Sequence, residues 1–200
     1  MKILYGVVGE GLGHAIRSSV ILEKLLADGH EVHVVVSGRA YDLLAARFPQ
    51  VSRIWGLTMS VKDNELKRLG TVAKNLREAI KGFPSNVRQY FEVEAQFEPD
   101  LVISDFETWT WLFAMRHRLP LICVDNIQVI RRCTHSAGIL QHPDVQNFRL
   151  AKSLVRAKAP NASHYVVTSF FFPPVRKKRT TLIPPILRQS ILDASPTRGE

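Results

Sequence analysis

Short apolar runs alternate along this chain with longer stretches in which apolar positions recur every three or four residues, the rhythm of an α/β protein. The first run, Ile3-Leu4-Tyr5-Gly6-Val7-Val8, is followed by Ala15, Ile16, Ser19, Val20, Leu22 and Leu26 with Arg17, Glu23 and Lys24 between them, which predicts a strand and then a helix over 15–27. Asp28-Gly29 ends that helix, glycine suiting a left-handed cap. A Val-rich strand over 31–36, a helix over 40–48 and a strand over 51–57 continue the series. Runs this apolar suit a sheet covered on both faces. The series predicts a Rossmann-like doubly wound parallel sheet with right-handed crossovers.

The segment after residue 57 breaks the rhythm. Leu66, Leu69, Ala73, Leu76 and Ile80 predict an amphipathic helix that carries Lys67, Lys74, Arg77 and Lys81 on one flank. Gly82-Phe83-Pro84 predicts its end, with a second helix over 85–97. Alternation then resumes: a strand over 99–105 ending in Asp105, a helix over 108–118, a strand over 120–124 and a loop over 127–142 that is too long to be only a connection. A basic helix over 145–158, a strand over 164–168 and a short strand over 181–183 follow. Phe170-Phe171-Phe172-Pro173-Pro174 reads as an extended turn whose phenylalanines pack, and 176–179 as an exposed basic turn. Pro184-Pro185 and 195–200 have the composition of a linker.

Composition adds one constraint. The chain of 200 residues has a 46% apolar and 22% charged content, as ordinary globular proteins do. Its net charge of +9 favours an anionic partner: a membrane surface, a phosphorylated substrate or nucleic acid. The two cysteines, Cys123 and Cys133, have no C-x-x-C spacing and read as reduced thiols. No run approaches the length of a membrane-spanning helix, so a membrane would be met at its surface. The seven histidines are scattered without metal-ligand spacing, so no metal is expected.

The chemistry concentrates at Gly9-Glu10-Gly11-Leu12-Gly13-His14, between the first strand and first helix. Backbone N–H groups at such a turn favour a negative ligand. The spacing is G-x-G-x-G, and the second strand ends in Ser37, with Arg39 beyond, where a dinucleotide fold places an acid. Ser37 and Arg39 leave a 2′-phosphate cofactor open as an alternative. His14 adds a titratable group at the helix start. The first and fourth of these strands are usual neighbours, which brings Asp105 within reach of His14. A carboxylate on one imidazole nitrogen fixes the tautomer and leaves the other nitrogen as a general base for a hydroxyl.

Gly11-Leu12-Gly13-His14-Ala15-x-Arg17, the strand Pro99-Asp100-Leu101-Val102-Ile103-Ser104-Asp105, the run 119–126 and Pro184-Pro185-Ile186-Leu187-Arg188 together resemble the N-terminal domain of a GT-B-fold glycosyltransferase, of the family 1/28 type. The resemblance covers nearly the whole chain. It implies one half of a GT-B fold: residues 1–188 as an N-terminal Rossmann-like acceptor-binding domain, 189–200 as the start of an interdomain linker, and a C-terminal donor-binding domain outside this chain. It implies sugar transfer from a nucleotide-sugar to a hydroxyl acceptor, such as a lipid or cell-envelope glycan precursor, with no cofactor, no obligatory metal and no turnover by this chain alone.

His14 matches the catalytic base and Asp105 its partner. Gly11, Gly13, Arg17, Glu107, Trp109, Asn126 and Gln128 are the expected substrate contacts, with Glu107 a second carboxylate that can act directly. Trp109 and Trp111 can wall the acceptor, and Arg131 and Arg132 can hold a phosphate. The basic flank Lys67, Lys74, Arg77 and Lys81 matches peripheral enzymes that lie on anionic lipid at the inner face of the membrane, in the cytoplasm. Expected partners are a nucleotide-sugar, a hydroxyl acceptor and a C-terminal domain or a chain supplying it, with no nucleic acid. A nucleotide-sugar epimerase of the same fold and a non-catalytic membrane-recruiting subunit of a split enzyme are the alternatives.

Overall fold

A computed structural model describes the backbone of residues 1–9, 11–56, 61–62, 65–66 and 68–194, and the side chains of 1–9, 11–56 and 82–194. The elements, in chain order, are β1 (Lys2–Val7), α1 (Leu12–Ala27), β2 (Glu31–Ser37), α2 (Ala40–Ala45), β3 (Val51–Ile54), β4 (Val61–Lys62), β5 (Glu65–Leu66) and α3 (Arg68–Gln96). They continue as β6 (Leu101–Asp105), α4 (Thr108–His117), β7 (Leu121–Asp125), α5 (Val129–Arg132), α6 (Ala137–Gln141), α7 (Val145–Lys158), β8 (His164–Thr168), β9 (Thr180–Ile183) and α8 (Gln189–Leu192).

Seven strands form one sheet in the order β3-β2-β1-β6-β7-β8-β9, and every pairing in it is parallel. The chain winds outward from β1 in one direction, returns, and winds outward from β6 in the other. The switch point therefore lies between β1 and β6, where Val7 pairs with Asp105. Ligands of open α/β sheets bind at the carboxyl ends of the strands at such a point.

Side-chain alternation along each strand divides the core between the two faces. Ile3, Tyr5, Val7, Val32, Val34, Val36 and Ile103 pack with Ala15 and Leu22 of α1 and Leu44 of α2. Leu4, Val35, Val102, Leu121 and Cys123 pack with Val93 of α3 and Phe113 of α4. Gly6 faces α4, and a Cβ there would stand 2.3 Å from the Thr110 hydroxyl, so glycine permits the close approach of α4 to β1.

Several sequence expectations change. The third strand stops at Ile54, and the loop over 127–142 contains α5 and α6. Gly82-Phe83-Pro84 does not end a helix: α3 runs unbroken through Pro84. Tertiary contacts outweigh the hydrogen bond that proline forfeits. The Asn86 side chain accepts from the Trp55 N–H at 2.6 Å and donates to the Trp55 carbonyl at 2.9 Å. Gly82 lies so close beneath Trp55 that a Cβ would stand 2.2 Å from the indole. The basic flank Lys67, Lys74, Arg77 and Lys81 lies outside the described side chains. Phe170, Phe171 and Phe172, expected to pack, are 84%, 60% and 60% exposed, because they fall in the turn beyond the end of β8 and not on the sheet. The basic turn after them is exposed as expected.

The glycines of the first loop differ in role. A Cβ on Gly9 would stand 1.7 Å from the Ser37 carbonyl oxygen, whereas one on Gly13 would meet nothing within 4 Å. Gly9→Ala is expected to cost about 1–3 kcal/mol by forcing atoms into filled space. Gly13→Ala is expected to stabilise the helix by roughly 0.5–1 kcal/mol. Urea denaturation of the two variants compares them, and equal midpoints would contradict this packing of the loop.

Candidate active site

The site grows out of two strand ends and one helix. β1 delivers the chain to the glycine loop, and Gly11, at φ 86, starts α1 with no side-chain cap. No acidic residue occupies the first turn of α1. Among the described residues nothing caps this N-terminus, whose N–H groups favour an anion. The first two turns of α1 then present His14, Arg17 and Ser18 to the end of β6. Their spacing of three and four residues puts them on adjoining parts of one helix face.

Asp105 is fully buried and receives all three. His14 Nδ1 lies 2.7 Å from Asp105 Oδ1. Arg17 Nη2 donates to the same oxygen, and Arg17 Nε donates to Oδ2 at 3.2 Å. Ser18 Oγ donates to Oδ2 at 2.8 Å. The Asp105 carbonyl accepts from the Val8 N–H at 3.2 Å, which ties the two strand ends together. Arg17 Nη2 also lies 3.0 Å from His14 Nδ1, so that nitrogen faces both a carboxylate acceptor and a guanidinium donor. In the tautomer that bonds Asp105 the proton is on Nδ1 and Nε2 is the basic nitrogen. The His14 side chain is 19% exposed, against 11% for Arg17 and none for Asp105, so the imidazole is the most exposed of the three.

The turn after β6 aims Asp105. Phe106 is left-handed, at φ 57, a costly conformation for a bulky residue. It reverses the chain between a carboxylate that faces α1 and one that faces α4. The Phe106 ring stacks near that of His14 with 6.4 Å between centroids. Glu107 is the N-cap of α4: it accepts from the N–H groups of Trp109 at 2.8 Å and Thr110 at 2.7 Å, and from the Thr110 hydroxyl at 3.0 Å. Burial pushes the Glu107 carboxyl upward, opposed by those N–H donors. Both oxygens are engaged in capping, which corrects the expectation that Glu107 touches substrate.

Trp109 is also corrected. It is 8% exposed in the core with Phe113, and its indole N–H donates to the Asn86 carbonyl at 3.1 Å. Trp111 donates to the Pro160 carbonyl at 2.8 Å. Neither residue is free to wall an acceptor, because Trp109 sits in the core and Trp111 packs against the same cluster. Ser37, weighed for a cofactor phosphate, is 4% exposed, and its hydroxyl accepts from the Gly9 N–H at 2.9 Å. Its role is to hold the glycine loop.

β7 adds a residue that sequence reasoning passed over. Asp125 ends this strand, two strands from β1, and is 1% exposed. Burial first, then the Asp105 charge, push its carboxyl up to about 7, against the Gln128 N–H, Arg17 and His14. Asp125 Oδ1 accepts from that N–H at 2.7 Å. Gln128 is itself 1% exposed, and neither atom of its amide has a hydrogen-bond partner. Asn126, between them, is exposed. The signal for Asp125 was its position, the same strand-end position as Asp105. Arg132 is structural: its guanidinium stacks 3.5 Å over the Tyr165 ring and donates to Thr180 Oγ1 and the Lys178 carbonyl, both at 2.7 Å.

Cys123 and Cys133 are buried free thiols. Among the described residues no group of three His, Cys, Asp or Glu side chains is arranged to hold a metal, and no helix is long and apolar enough to cross a membrane.

A parallel sheet with a glycine turn, a partly exposed histidine and a buried aspartate at its switch point defines a Rossmann-like domain. The chain belongs to the family described as glycosyl transferase family 1, whose profile matches residues 1–200. An uncharacterized glycosyltransferase of Methanosarcina mazei is 30% identical over 128 residues, covering 63% of this chain and 33% of that protein. One of Methanosarcina acetivorans is 29% identical over 133 residues with the same coverage. The chain thus spans about a third of the length of these relatives.

Two solved structures share the fold. The Streptomyces sp. SF2575 glycosyltransferase SsfS6 superposes with a TM-score of 0.54 at 18% identity, over 94% of this chain and 55% of that one. The spinosyn forosaminyltransferase SpnP gives 0.54 at 14%, over 98% and 55%. The fold is one half of a GT-B glycosyltransferase.

Asp125 makes the stability of this site pH-dependent. Its folded carboxyl, near 7, lies above the ordinary value, so the folded chain binds the extra proton. Its contribution to stability is therefore lost as pH rises from about 4 to about 7. Asp125→Asn, which keeps the acceptor for the Gln128 N–H, is expected to flatten that decline. Urea midpoints measured from pH 4 to 8 check it, and identical pH profiles for variant and wild type would contradict it.

Proposed function

We propose that this chain is the N-terminal, acceptor-binding half of a glycosyltransferase that moves a sugar from a nucleotide-sugar to a hydroxyl acceptor. Residues 1–188 form that domain and 189–200 begin the linker. The observation that carries the reading is the 2.7 Å contact of His14 Nδ1 with buried Asp105, which in the Nδ1-protonated tautomer leaves Nε2 as a base. Membership in glycosyl transferase family 1 supplies the reaction class.

In the reaction, the acceptor hydroxyl gives its proton to His14 Nε2. The oxygen attacks the anomeric carbon as the bond to the diphosphate breaks, and the nucleoside diphosphate leaves with the electron pair. One displacement inverts the anomeric centre. Asp105 positions the base and stabilises the imidazolium that forms. Arg17 and Ser18 hold Asp105. The side-chain-free surfaces of Gly11 and Gly13 and the uncapped N-terminus of α1 leave room for the acceptor and for donor phosphate. Exposed Asn126 supplies a polar contact to the acceptor, whereas the Gln128 amide is buried and does not reach it. Donor recognition belongs to the second half of the GT-B fold, in keeping with the fraction of its relatives that this chain spans. The chain alone is therefore expected to show no turnover.

The test uses the protein joined to its donor-binding half, assayed for nucleoside diphosphate release across a panel of nucleotide-sugars and hydroxyl acceptors. His14→Ala and Asp105→Asn are each expected to lower kcat by about 10²–10⁴-fold, the worth of general-base assistance. Wild-type turnover in both variants would remove the dyad from the mechanism.

A further inference from the structure

A second cleft lies outside the dyad. Its volume is about 430 Å³, and its walls carry Arg131, Arg149, Lys152, Arg156, Arg176 and Lys177 with no acidic side chain among the lining residues. The cations come from three places in the chain. Arg149, Lys152 and Arg156 recur at steps of three and four on one face of α7. Arg131 belongs to α5, and Arg176 and Lys177 to the segment before β9.

That segment is fastened to α5. The N–H groups of Arg176 and Lys177 donate to the Arg132 carbonyl at 2.9 and 3.1 Å, and the Arg176 guanidinium donates to the Arg131 carbonyl at 3.2 Å. Arg132 is pinned in turn through Lys178 and Thr180. The walls are thus held by backbone and buried contacts, while Arg149, Arg156, Arg176 and Lys177 are exposed. Arg131 lines the cleft, and its Nη1 is buried without a hydrogen-bond partner. A buried guanidinium nitrogen in that state lacks an acceptor that a ligand can supply.

Six like charges around one cavity repel each other when it is empty, and an anion reverses the sign of that energy. The volume suits a small ligand. Arginine forks match the oxygens of phosphate in pairs. We propose that this cleft binds the diphosphate group of a ligand, at a site separate from the dyad. α7 also borders the dyad on another face: Val155 packs with Val8 and Phe106, and Phe106 lies beside His14. The binding claim stands alone. Its use, to hold the anionic part of an acceptor, rests on the proposed transfer reaction.

Calorimetric titration of the 200-residue chain with inorganic pyrophosphate, at constant ionic strength, tests it. One-to-one binding is expected. Arg149→Ala with Arg176→Ala, one exposed residue from each wall, is expected to weaken it at least tenfold, the size of one lost charge-assisted hydrogen bond. Lys24→Ala with Arg116→Ala removes the same charge elsewhere and is expected to change it less than twofold. Sedimentation with phosphatidylcholine vesicles, with and without phosphatidic acid, identifies the source. Binding that requires phosphatidic acid and is displaced by pyrophosphate assigns a lipid headgroup, and pyrophosphate binding with no vesicle difference assigns a soluble phosphate. Absence of pyrophosphate binding, or equal weakening in both double variants, overturns the proposal. His14→Ala leaves pyrophosphate binding intact on this account, so failure of the transfer reaction and failure of the anion site are separately visible.

Discussion

The rest of this site depends on one carboxylate taken out of water. Asp105 is fully buried at the end of β6, and its charge is tolerable there only because Arg17 faces both oxygens and Ser18 and His14 complete the shell. Removing one partner of a buried ion pair costs about 3–5 kcal/mol, since the other charge is left without compensation. The cluster is therefore both a clamp and a device. It binds α1 to the β1–β6 switch point, and it fixes the orientation of the imidazole. A site held by a rigid strand end and the first turns of a helix keeps its geometry without a ligand.

The surrounding backbone serves the same end. Gly9 fits against Ser37 so that the loop can turn tightly, and Gly11 takes a positive φ that favours glycine to start α1. Phe106 accepts a left-handed conformation so that Asp105 and Glu107, two residues apart, serve different helices. Strain at a turn of this kind is tolerated where the neighbours over-determine it. Here Ser104 helps by donating through its hydroxyl to the Glu107 carbonyl at 2.7 Å. Two carboxylates in one short run thus have unlike roles, one beside the imidazole and one as a cap.

The parallel sheet was legible in the sequence because its central strands are apolar-rich and its helices periodic, and β8 falls where the pattern puts it. His14 and Asp105 were legible for a related reason: strand ends in a doubly wound sheet converge, so position alone pairs them. What escaped were effects of tertiary contact. Pro84 breaks an isolated helix, but the clamp of Asn86 on Trp55 carries α3 through it. Trp109 and Glu107 stand close to Asp105 in sequence yet face the core and a helix terminus, which the left-handed turn at Phe106 decides. Asp125 carried only a positional signal, and its raised carboxyl follows from burial and from its neighbours at the rim. The cationic cleft joins residues from three segments, and no local pattern announces it.

The central claim is that Asp105 holds the His14 imidazole with its proton on Nδ1 and leaves Nε2 to the substrate. Nitrogen-15 NMR of the imidazole, in the chain labelled at histidine, reports this tautomer directly. The expected result is a protonated Nδ1 and an unprotonated Nε2 for His14 above the pH at which the imidazole loses its charge, with the preference lost in Asp105→Ala. A proton on Nε2 in the wild type, or a tautomer indifferent to Asp105, would contradict the account.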